Sequence, residues 1–307
     1  MLDRLQFRKD FIIRIDTDRI LVKASVELFP DSAAISVGGQ KLISDQVSAV
    51  WLRRPKPLQV SKEEDPGVGR HIAGEWAESL ENYLAFIPRE RWFNHPSANA
   101  FASRKMLQLH HAKRVGLRAP KTTLTHDPVL VRSFWEICDG RVVIKPINSG
   151  YVEYDDGRLG LIYTNRMKVE HLAESELIRA CPVLYQELVE EKVDVRVTWV
   201  DGLMMAVAMR RPEASDIDIR RENMKGVQYS EIAIPVQVEE AIRSLMAHFG
   251  LKFAAIDFGI TIDGEWVFFE INPNGQWAWM DLAGGMNLWK LFETAFFPES
   301  PNGKASI

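Results

Sequence analysis

The sequence predicts a mixed α/β or α+β fold with several layers. Runs rich in β-branched and aromatic residues alternate with amphipathic helical segments. Several of these runs flank Asp-Gly or Gly-Gly pairs, which are typical of tight hairpin turns. The chain has 307 residues, of which 46% are hydrophobic, so it can form two or three packed units.

Composition and charge argue against several classes of protein. The net charge of -4 gives no general reason to bind nucleic acid, and no apolar run approaches the roughly 20 residues that cross a bilayer. The charged segment Met1–Asp10 does not resemble a signal peptide. Cys138 and Cys181 lack CxxC spacing, which argues against a zinc site or a disulfide scaffold. We therefore expect a cytoplasmic protein that binds neither nucleic acid nor membranes.

The first region of the chain contains strands, one hairpin and a long helix. Apolar residues recur at helical spacing from Ile72 to Ile87, which predicts the helix. Pro96 and several small residues indicate a linker over Arg91–Ala102. The predicted strands are Phe11–Ile15, Ile20–Phe29 and Val47–Leu52, and Gly38-Gly39 joins Ala33–Val37 to Lys41–Ser44 as a hairpin.

The second region begins with a helix over Ser103–Val115, with Ser103 as its N-cap. The compact strand Arg141–Lys145 then leads into a polar loop over Pro146–Gly160. The third region starts near Cys181 and is rich in strands, with one helix over Glu239–Phe249 that stops at Gly250. Its predicted strands are Val183–Leu188, Asp194–Val200, Leu203–Met209, Phe253–Ile260 and Trp266–Asn272, and Asp201-Gly202 joins the second to the third.

The last two predicted strands bring two carboxylates together. A two-residue turn at Asp263-Gly264 pairs positions that sum to 527, which places Asp257 opposite Glu270. Period-two alternation puts Asn272 on the same face as Glu270. Two carboxylates and an amide are oxygen ligands suited to Mg²⁺ that also binds substrate phosphates. The alternative is an acidic, solvent-exposed strand face, although the flanking residues are apolar.

Candidate nucleotide contacts lie on both sides of this hairpin. Lys145 ends an apolar strand before a polar loop, from where it could reach phosphates, and Lys105 near a helix start is a weaker candidate. The segment Tyr185–Val189 could present backbone groups to adenine, and Asp194 could hold ribose hydroxyls. Arg196 shares a strand face with Asp194 and could neutralise an acyl phosphate. The alternatives are a strand-end lysine, a plain strand and a surface ion pair.

Together these segments resemble the ATP-grasp superfamily. In order, they are Lys105, VVIKP with Lys145, YQELVEEKVDVR, AAIDFG and FEINPNGQW, and they span roughly Asn94 to Met280. The resemblance implies ATP and Mg²⁺ as cofactors, a pre-ATP-grasp domain over 1–95, a central subdomain with a lid loop over 96–180 and a C-terminal subdomain with the Mg site over 181–307. It implies that Lys105, Lys145, Gln186, Glu187, Leu188, Val189 and Asp194 bind ATP, and that Asp257, Glu270 and Asn272 bind the metal.

A narrower resemblance joins EINPNGQWAWM, DVRVTWVDG and WLRRP at Trp51–Pro55 to the microviridin-type graspetide synthetases. These ligases phosphorylate Asp or Glu side chains of a ribosomally made precursor peptide and form ω-esters with Thr or Ser, or ω-amides with Lys. The resemblance implies a precursor with leader and core segments, a homodimer, and a catalytic role for Arg220 beside Arg196. The family normally opens with a strand and a helix before FIIRIDTDR, so we expect the first domain to be incomplete at its start.

Two other functions stay open from the sequence. One is an ATP-grasp ligase that adds free amino acids to a peptide, protein or small molecule, as ribosomal-protein glutamate ligases do. The segments Gln276–Trp279 and Trp51–Arg54 favour peptide maturation over this alternative. The other is a nucleotide-dependent peptide-binding protein without turnover, and the intact set of Asp257, Glu270 and Asn272 counts against it.

Overall fold

The computed structural model describes residues 12–22, 24–56, 58, 65–148, 150–190, 192–210 and 226–297. The helices of this part are α1 Pro66–Ala85, α2 Pro96–Ala102, α3 Lys105–Arg114, α4 Pro128–Ile137, α5 Ser175–Ala180, α6 Val236–Phe249, α7 Ala278–Gly284 and α8 Trp289–Phe296. The strands are β1 Ala24–Phe29, β2 Ser32–Val37, β3 Gln40–Ile43, β4 Thr122–Thr125, β5 Val142–Lys145, β6 Tyr151–Glu153, β7 Leu159–Leu161, β8 Asn165–Arg166, β9 Val183–Glu187, β10 Lys192–Val200, β11 Leu203–Arg210, β12 Gln228–Ile232, β13 Phe253–Thr261 and β14 Trp266–Asn272. The predicted mixture of helices and antiparallel strands is confirmed.

The first unit is a three-stranded antiparallel sheet, β1-β2-β3, that packs on α1. Gly38 and Gly39 both have positive φ, which confirms the predicted two-residue hairpin. Asp65 caps α1 by accepting hydrogen bonds from the backbone of the first turn, and Pro66 occupies the first helical position. The sheet and α1 bury a small core around Ile35 and Tyr83.

Two predicted strands of this unit are wrong. Within the predicted strand Phe11–Ile15, Phe11 lies outside the described residues, and the remainder is irregular chain whose Ile15 packs on the core. The strand predicted from Ile20 begins only at Ala24, after a 3₁₀ turn. In the predicted strand Val47–Leu52, only Val50 forms a bridge, and its partner is Trp92. The chain before Trp92, Arg89–Arg91, is a 3₁₀ turn, so it cannot pair as a strand. The β-branched and aromatic residues of these segments therefore reflect burial rather than strand pairing.

The predicted linker Arg91–Ala102 contains a helix, α2, so that prediction is also wrong. Pro96 starts this helix at its first position, where a missing N–H costs nothing, and the His95 ring accepts a hydrogen bond from the Ser97 N–H. Ser103 does not cap the next helix as predicted. It ends α2, and its hydroxyl donates to the Asn99 carbonyl at 2.7 Å, while α3 begins at Lys105.

The middle of the chain builds a four-stranded antiparallel sheet in the order β4-β9-β5-β8, packed on α4 and α5. The predicted loop Pro146–Gly160 is partly ordered, because β6 and β7 pair as a separate two-stranded hairpin across Gly157, which has φ of +78°. Strand β9 belongs to this sheet, whereas α2 and α3 pack on the five-stranded sheet. The domain boundaries stated above remain predictions.

The largest sheet is antiparallel, in the order β12-β11-β10-β13-β14. One face packs on α2, α3 and α6 through the main hydrophobic core. Gly250, with φ of +65°, ends α6 as predicted. At one end of the opposite face, Val200, Val207 and Phe253 pack against α7 and α8. The rest of that face carries the charged residues of the candidate site. Among the described residues, no helix is both long and apolar enough to cross a membrane.

Candidate functional site: an acidic hairpin facing a cluster of lysines

The β13–β14 hairpin places the predicted carboxylates opposite each other. Asp257 pairs with Glu270 and Ala255 pairs with Asn272, so all three candidate metal ligands lie on one face, as predicted. Among the described residues, no group of three or more His, Cys, Asp or Glu side chains forms a metal-binding cluster. The candidate site therefore depends on Asn272 for its third protein oxygen.

The turn that produces this pairing is not the predicted one. The backbone N–H of Thr261 donates to the Glu265 carbonyl, which leaves three residues in the loop, with Gly264 at φ of +81°. This loop shifts the register by one, so Ile260 pairs with Trp266. A β-bulge between Asp257 and Phe258 on one strand, and Phe268 and Glu270 on the other, shifts the register back. The two deviations cancel at Asp257 and Glu270.

The bulge adds an aromatic ring to the site that the sequence analysis missed. Phe269 is the extra residue, so it does not follow the alternation of its neighbours. Its ring lies over Gly259, where an added Cβ would come within 2.9 Å of the ring and 2.7 Å of the Lys192 side chain. Gly259 therefore makes room for both groups. A glycine in a strand beside an aromatic pair was the available signal.

Each carboxylate of the hairpin has a cationic partner. Arg196, which pairs with Asp257 across β10 and β13, brings its Nε to 2.5 Å from that carboxylate, and Lys105 Nζ lies 3.1 Å from Glu270. Burial raises the pKa of Asp257 to about 6, although Arg196 opposes the shift. Burial also acts to raise the pKa of Glu270, but Lys105 and Lys145 outweigh it and hold that pKa below its ordinary value.

Lys145 reaches the same site from the four-stranded sheet. Its Nζ donates to Gln186 Oε1 at 2.6 Å and lies 5.2 Å from the centre of the Phe269 ring. Burial lowers the pKa of Lys145 to about 8, with Glu270 opposing the shift. Lys192 Nζ lies over the same ring at 5.3 Å. Four cations, Lys105, Lys145, Lys192 and Arg196, therefore surround two facing carboxylates.

The predicted adenine and ribose residues lie beside this cluster. Gln186 is buried between Lys145 and Thr122, and Val189 is buried as well. The backbone N–H groups of Glu187 and Leu188 donate to the carbonyls of Lys121 and Arg141, and the adenine contact of this segment stays a prediction.

The three remaining candidate residues are Asp194, Arg196 and Arg220. Asp194 lies on the same face of β10 as Arg196, as the turn at Asp201-Gly202 predicted, and it forms an ion pair with Lys192. The predicted alternative for Arg196, an ion pair, is present, but its partner is the candidate metal ligand Asp257. Arg220 lies outside the described residues.

Strand β14 is fixed from its outer edge by side chains of the preceding helices and turns. Gln108, buried in α3, donates to the Ile271 carbonyl at 2.8 Å and accepts from the Ile271 N–H at 2.8 Å. Its amide thus substitutes for a neighbouring strand between the two ligands Glu270 and Asn272. Buried Asn94, with φ of +65°, bonds both backbone groups of Phe253 and the carbonyl of Pro273.

The residues present fit a magnesium ion with a nucleotide. Mg²⁺ is usually held by one or two carboxylates together with substrate phosphates and water, and the hairpin supplies two carboxylates and an amide oxygen. Burial penalises the charge of Asp257, and a bound cation would relieve that penalty. The surrounding lysines suit the negative charge of phosphates. The donor set and its surroundings are therefore compatible with a metal–nucleotide complex.

Several solved structures are similar to this chain over most of its length. The macrocyclase MdnC from Microcystis aeruginosa MRC, bound with precursor peptide MdnA, is 26% identical over 93% of this chain and 90% of its own, with a TM-score of 0.79. A RiPP-associated ATP-grasp ligase from Chryseobacterium gregarium, in complex with ADP and a leader and core peptide, is 21% identical over 100% of this chain and 95% of its own, with a TM-score of 0.84.

A third structure is the ATP-grasp ligase PsnB complexed with minimal precursor, Mg and ADP, which is 23% identical over 96% of this chain and 92% of its own, with a TM-score of 0.70. No family model and no curated protein matches the sequence. The similarity of this chain to known proteins was therefore found by comparing structures. The chain has the ATP-grasp fold, and it is similar to a macrocyclase bound with its precursor peptide and to ATP-grasp ligases bound with such peptides.

Proposed function

We propose that this ligase activates an Asp or Glu side chain of a ribosomally made precursor peptide and joins it to a Thr or Ser hydroxyl, or to a Lys amine. The observation that carries the proposal is the meeting of Asp257, Glu270 and Asn272 with Lys105 and Lys145 at one end of the sheet. The likeness to a macrocyclase bound with its precursor peptide supports a peptide as the substrate.

The proposed reaction has two steps, and ATP and Mg²⁺ are its cofactors. A carboxylate oxygen attacks the γ-phosphorus, ADP leaves, and the resulting acyl phosphate is then attacked by a hydroxyl or amine, which loses a proton as phosphate leaves. Mg²⁺, when bound, supplies charge neutralisation at the phosphates. Lys105 and Lys145 would hold those phosphates by their positive charges. No cysteine or serine nucleophile is needed.

Arg196 has a different proposed task. In this structure its guanidinium neutralises Asp257, and a metal at the hairpin would take over that work and free the guanidinium for developing negative charge. We therefore expect Arg196→Ala to bind ATP but to lose product formation, because the interaction matters most as charge transfers. Arg220 remains a second proposed catalytic residue. Full product formation by both single variants would assign stabilisation of the acyl phosphate to other groups.

The test of the function is co-expression with short reading frames rich in Thr, Asp and Glu that lie beside the gene. Each ring formed removes one water from the peptide, and mass spectrometry measures that loss. A gain of one amino-acid residue would instead support the alternative ligase that adds free amino acids. Nucleotide binding without any change in peptide mass would support a binding protein without turnover.

Two further properties belong to this proposal. The precursor would be held through its leader segment while its core enters the site, as the resemblance implies. We also expect a homodimer, which light scattering of the purified protein would measure directly. A monomer at micromolar concentration would contradict that expectation. It would not contradict the proposed reaction, because every residue placed in the site above belongs to one chain.

A further inference from the structure

Two adjacent arginines of the first unit reach the loop that follows the metal-ligand strand. Arg53 Nη2 donates to the carbonyl of Gly275 at 2.6 Å, and Arg54 Nε donates to the carbonyl of Asn274 at 3.3 Å. This loop starts at Asn272, whose Oδ1 accepts the N–H of Asn274 at 3.1 Å. The arginines therefore lie next to the proposed metal site, although more than 200 residues separate them from it in sequence.

Arg53 has no counter-ion among the described residues. Its guanidinium lies 5.4 Å from the centre of the Trp51 ring and 5.2 Å from that of Phe253, and its buried Nη1 has no hydrogen-bond partner in this part of the chain either. Burial, with a contribution from the charge of Arg54, lowers the pKa of Arg53 to about 10, so the group is still a cation at neutral pH. The ring faces attract this cation, but a buried guanidinium nitrogen without a partner is unfavourable, and an anionic ligand would relieve that cost.

The backbone conformation of Arg54 lets its side chain reach the same loop as that of Arg53. Its φ of +50° lies in the left-handed region, which is unfavourable for a residue with a Cβ. Consecutive side chains on an extended strand point to opposite sides, whereas here both arginines reach the same loop. Arg54 is exposed, so the pair is open to solvent on that side.

The loop adds an unused acceptor beside these donors. Asn274 Oδ1 is buried and, within the part of the chain that the structure describes, has no hydrogen-bond partner. The loop itself packs closely on the sheet, because an added Cβ at Gly275 would come within 2.3 Å of the Ala255 Cβ. A ligand with an anionic oxygen could reach the exposed Arg54 directly, and it could reach the two buried atoms only after a local shift of the loop. An acidic residue within a peptide has that chemistry.

We propose that Arg53 and Arg54 form the subsite that receives the substrate carboxylate before it is activated. The inference rests on the proposed function, and it assigns the recognition of the carboxylate to the first unit and that of the nucleotide to the two later sheets. Arg196 has a different task in the proposed function, because it would stabilise the negative charge that develops during transfer. A bidentate guanidinium–carboxylate contact would also fix the orientation of the attacking oxygen.

The experiment compares two capped pentapeptides that differ only in a central Glu or Gln. Calorimetry in the presence of Mg²⁺ and ADP would measure their affinity for wild type, Arg53→Gln, Arg53→Lys and Arg54→Gln. The matched control is Arg243→Gln, because Arg243 also donates to a glycine carbonyl, that of Gly202, but already has a carboxylate partner in Glu239.

We expect wild type to prefer the Glu peptide, and the two Gln variants to lose about tenfold or more of that affinity, as expected for a charged hydrogen bond. Arg53→Lys should recover only part of it, and Arg243→Gln should behave as wild type. ADP affinity should not change in any variant. If Arg53→Gln fails to fold by circular dichroism, the exposed Arg54→Gln carries the test.

Three results would overturn the proposal. They are equal or absent binding of the two peptides to wild type, an unchanged Glu preference in the variants, and a parallel loss of ADP affinity that would assign the arginines to nucleotide phosphates. Failure of the proposed function gives a different result. An arginine-dependent Glu preference without ligation of any precursor would keep the subsite and reject the reaction.

Discussion

The two sides of the candidate site are built in different ways. On the acidic side, Asp257, Glu270 and Asn272 belong to one hairpin, and backbone pairing fixes their spacing. On the cationic side, Lys105, Lys145 and Lys192 come from α3, β5 and β10, and only their side chains meet. One hairpin therefore places the carboxylates, whereas the lysines are brought together from three elements.

The hydrogen bonds of the two sides show the same difference. Gln108 and Asn94 hold the backbone of the acidic strand and its following loop through buried amide groups. Lys145 is held by one side-chain hydrogen bond to Gln186, and the β6–β7 hairpin that follows it belongs to a separate two-stranded sheet. A rigid metal side and an adaptable phosphate side suit a ligase that must admit and release a nucleotide.

The largest expected effect comes from Glu270→Gln on the acidic side. The change keeps the shape and one acceptor oxygen but removes the charge that a metal needs, so turnover should fall at least about a thousandfold. The fold should persist, because the substitution also removes a like charge opposite Asp257. Peptide-dependent ADP release and circular dichroism would measure the two effects. An active variant at ordinary Mg²⁺ would show that the metal is bound elsewhere.

The second effect tests the cationic side. Lys145→Met keeps the length of the side chain but removes its charge, so ADP affinity should fall by about 1–3 kcal/mol, as expected for a charged contact. Calorimetric titration of ADP would measure it. Lys121→Met is the matched control, since Lys121 Nζ donates to the Ile137 carbonyl on the surface of the same region. Equal affinities for wild type and Lys145→Met would place the phosphates elsewhere.

The acidic side could be predicted from the sequence because it depends on local pattern. Alternation and one hairpin were enough to pair Asp257 with Glu270, even though the predicted turn was wrong. A three-residue loop and a bulge each shift the register by one, and neither is visible in a pattern of apolar and polar residues. The prediction was correct at the site because the two shifts have opposite sign.

The cationic side and the first unit were predicted less well. Phe269 and Lys192 were missed as site residues, and Arg53 was noted only as part of the motif Trp51–Pro55, because a bulge, a cation over a ring and a contact between distant segments depend on tertiary packing. The linker prediction failed at α2, because Pro96 was interpreted as a breaker although proline also starts helices. In the five-stranded sheet, β10, β11, β13 and β14 were predicted because they are compact runs, two of which are joined by an Asp-Gly turn, whereas β12 was not predicted. The four-stranded sheet was not predicted, because β4 and β8 are short and its strands pair out of sequence order.

The third prediction concerns the support of the acidic side. Gln108→Leu would leave the N–H and the carbonyl of Ile271 without partners, which should cost about 1–3 kcal/mol of unfolding free energy per buried group left unpaired. Because Ile271 lies between Glu270 and Asn272, Mg²⁺ affinity should fall as well. Gln108→Glu is the informative partner, since it keeps the shape but sets an oxygen against the Ile271 carbonyl. Stability loss with unchanged Mg²⁺ dependence would limit Gln108 to a structural role.

The smallest expected effect separates the loop of the hairpin from its bulge. Gly264→Ala adds a Cβ to a residue with φ of +81° at a loop where nothing lies within 4 Å, so only backbone strain of about 1 kcal/mol should result. Gly259→Ala instead pushes against Phe269 and Lys192 and should disturb the bulge that sets the final register. Chemical denaturation and ADP titration of both variants would measure the difference. We expect both to lose stability but only Gly259→Ala to lose ADP affinity, because the bulge, and not the loop, lies next to Asp257 and Glu270. Equal loss of ADP affinity in both variants would show that the loop also controls the pairing of the two carboxylates.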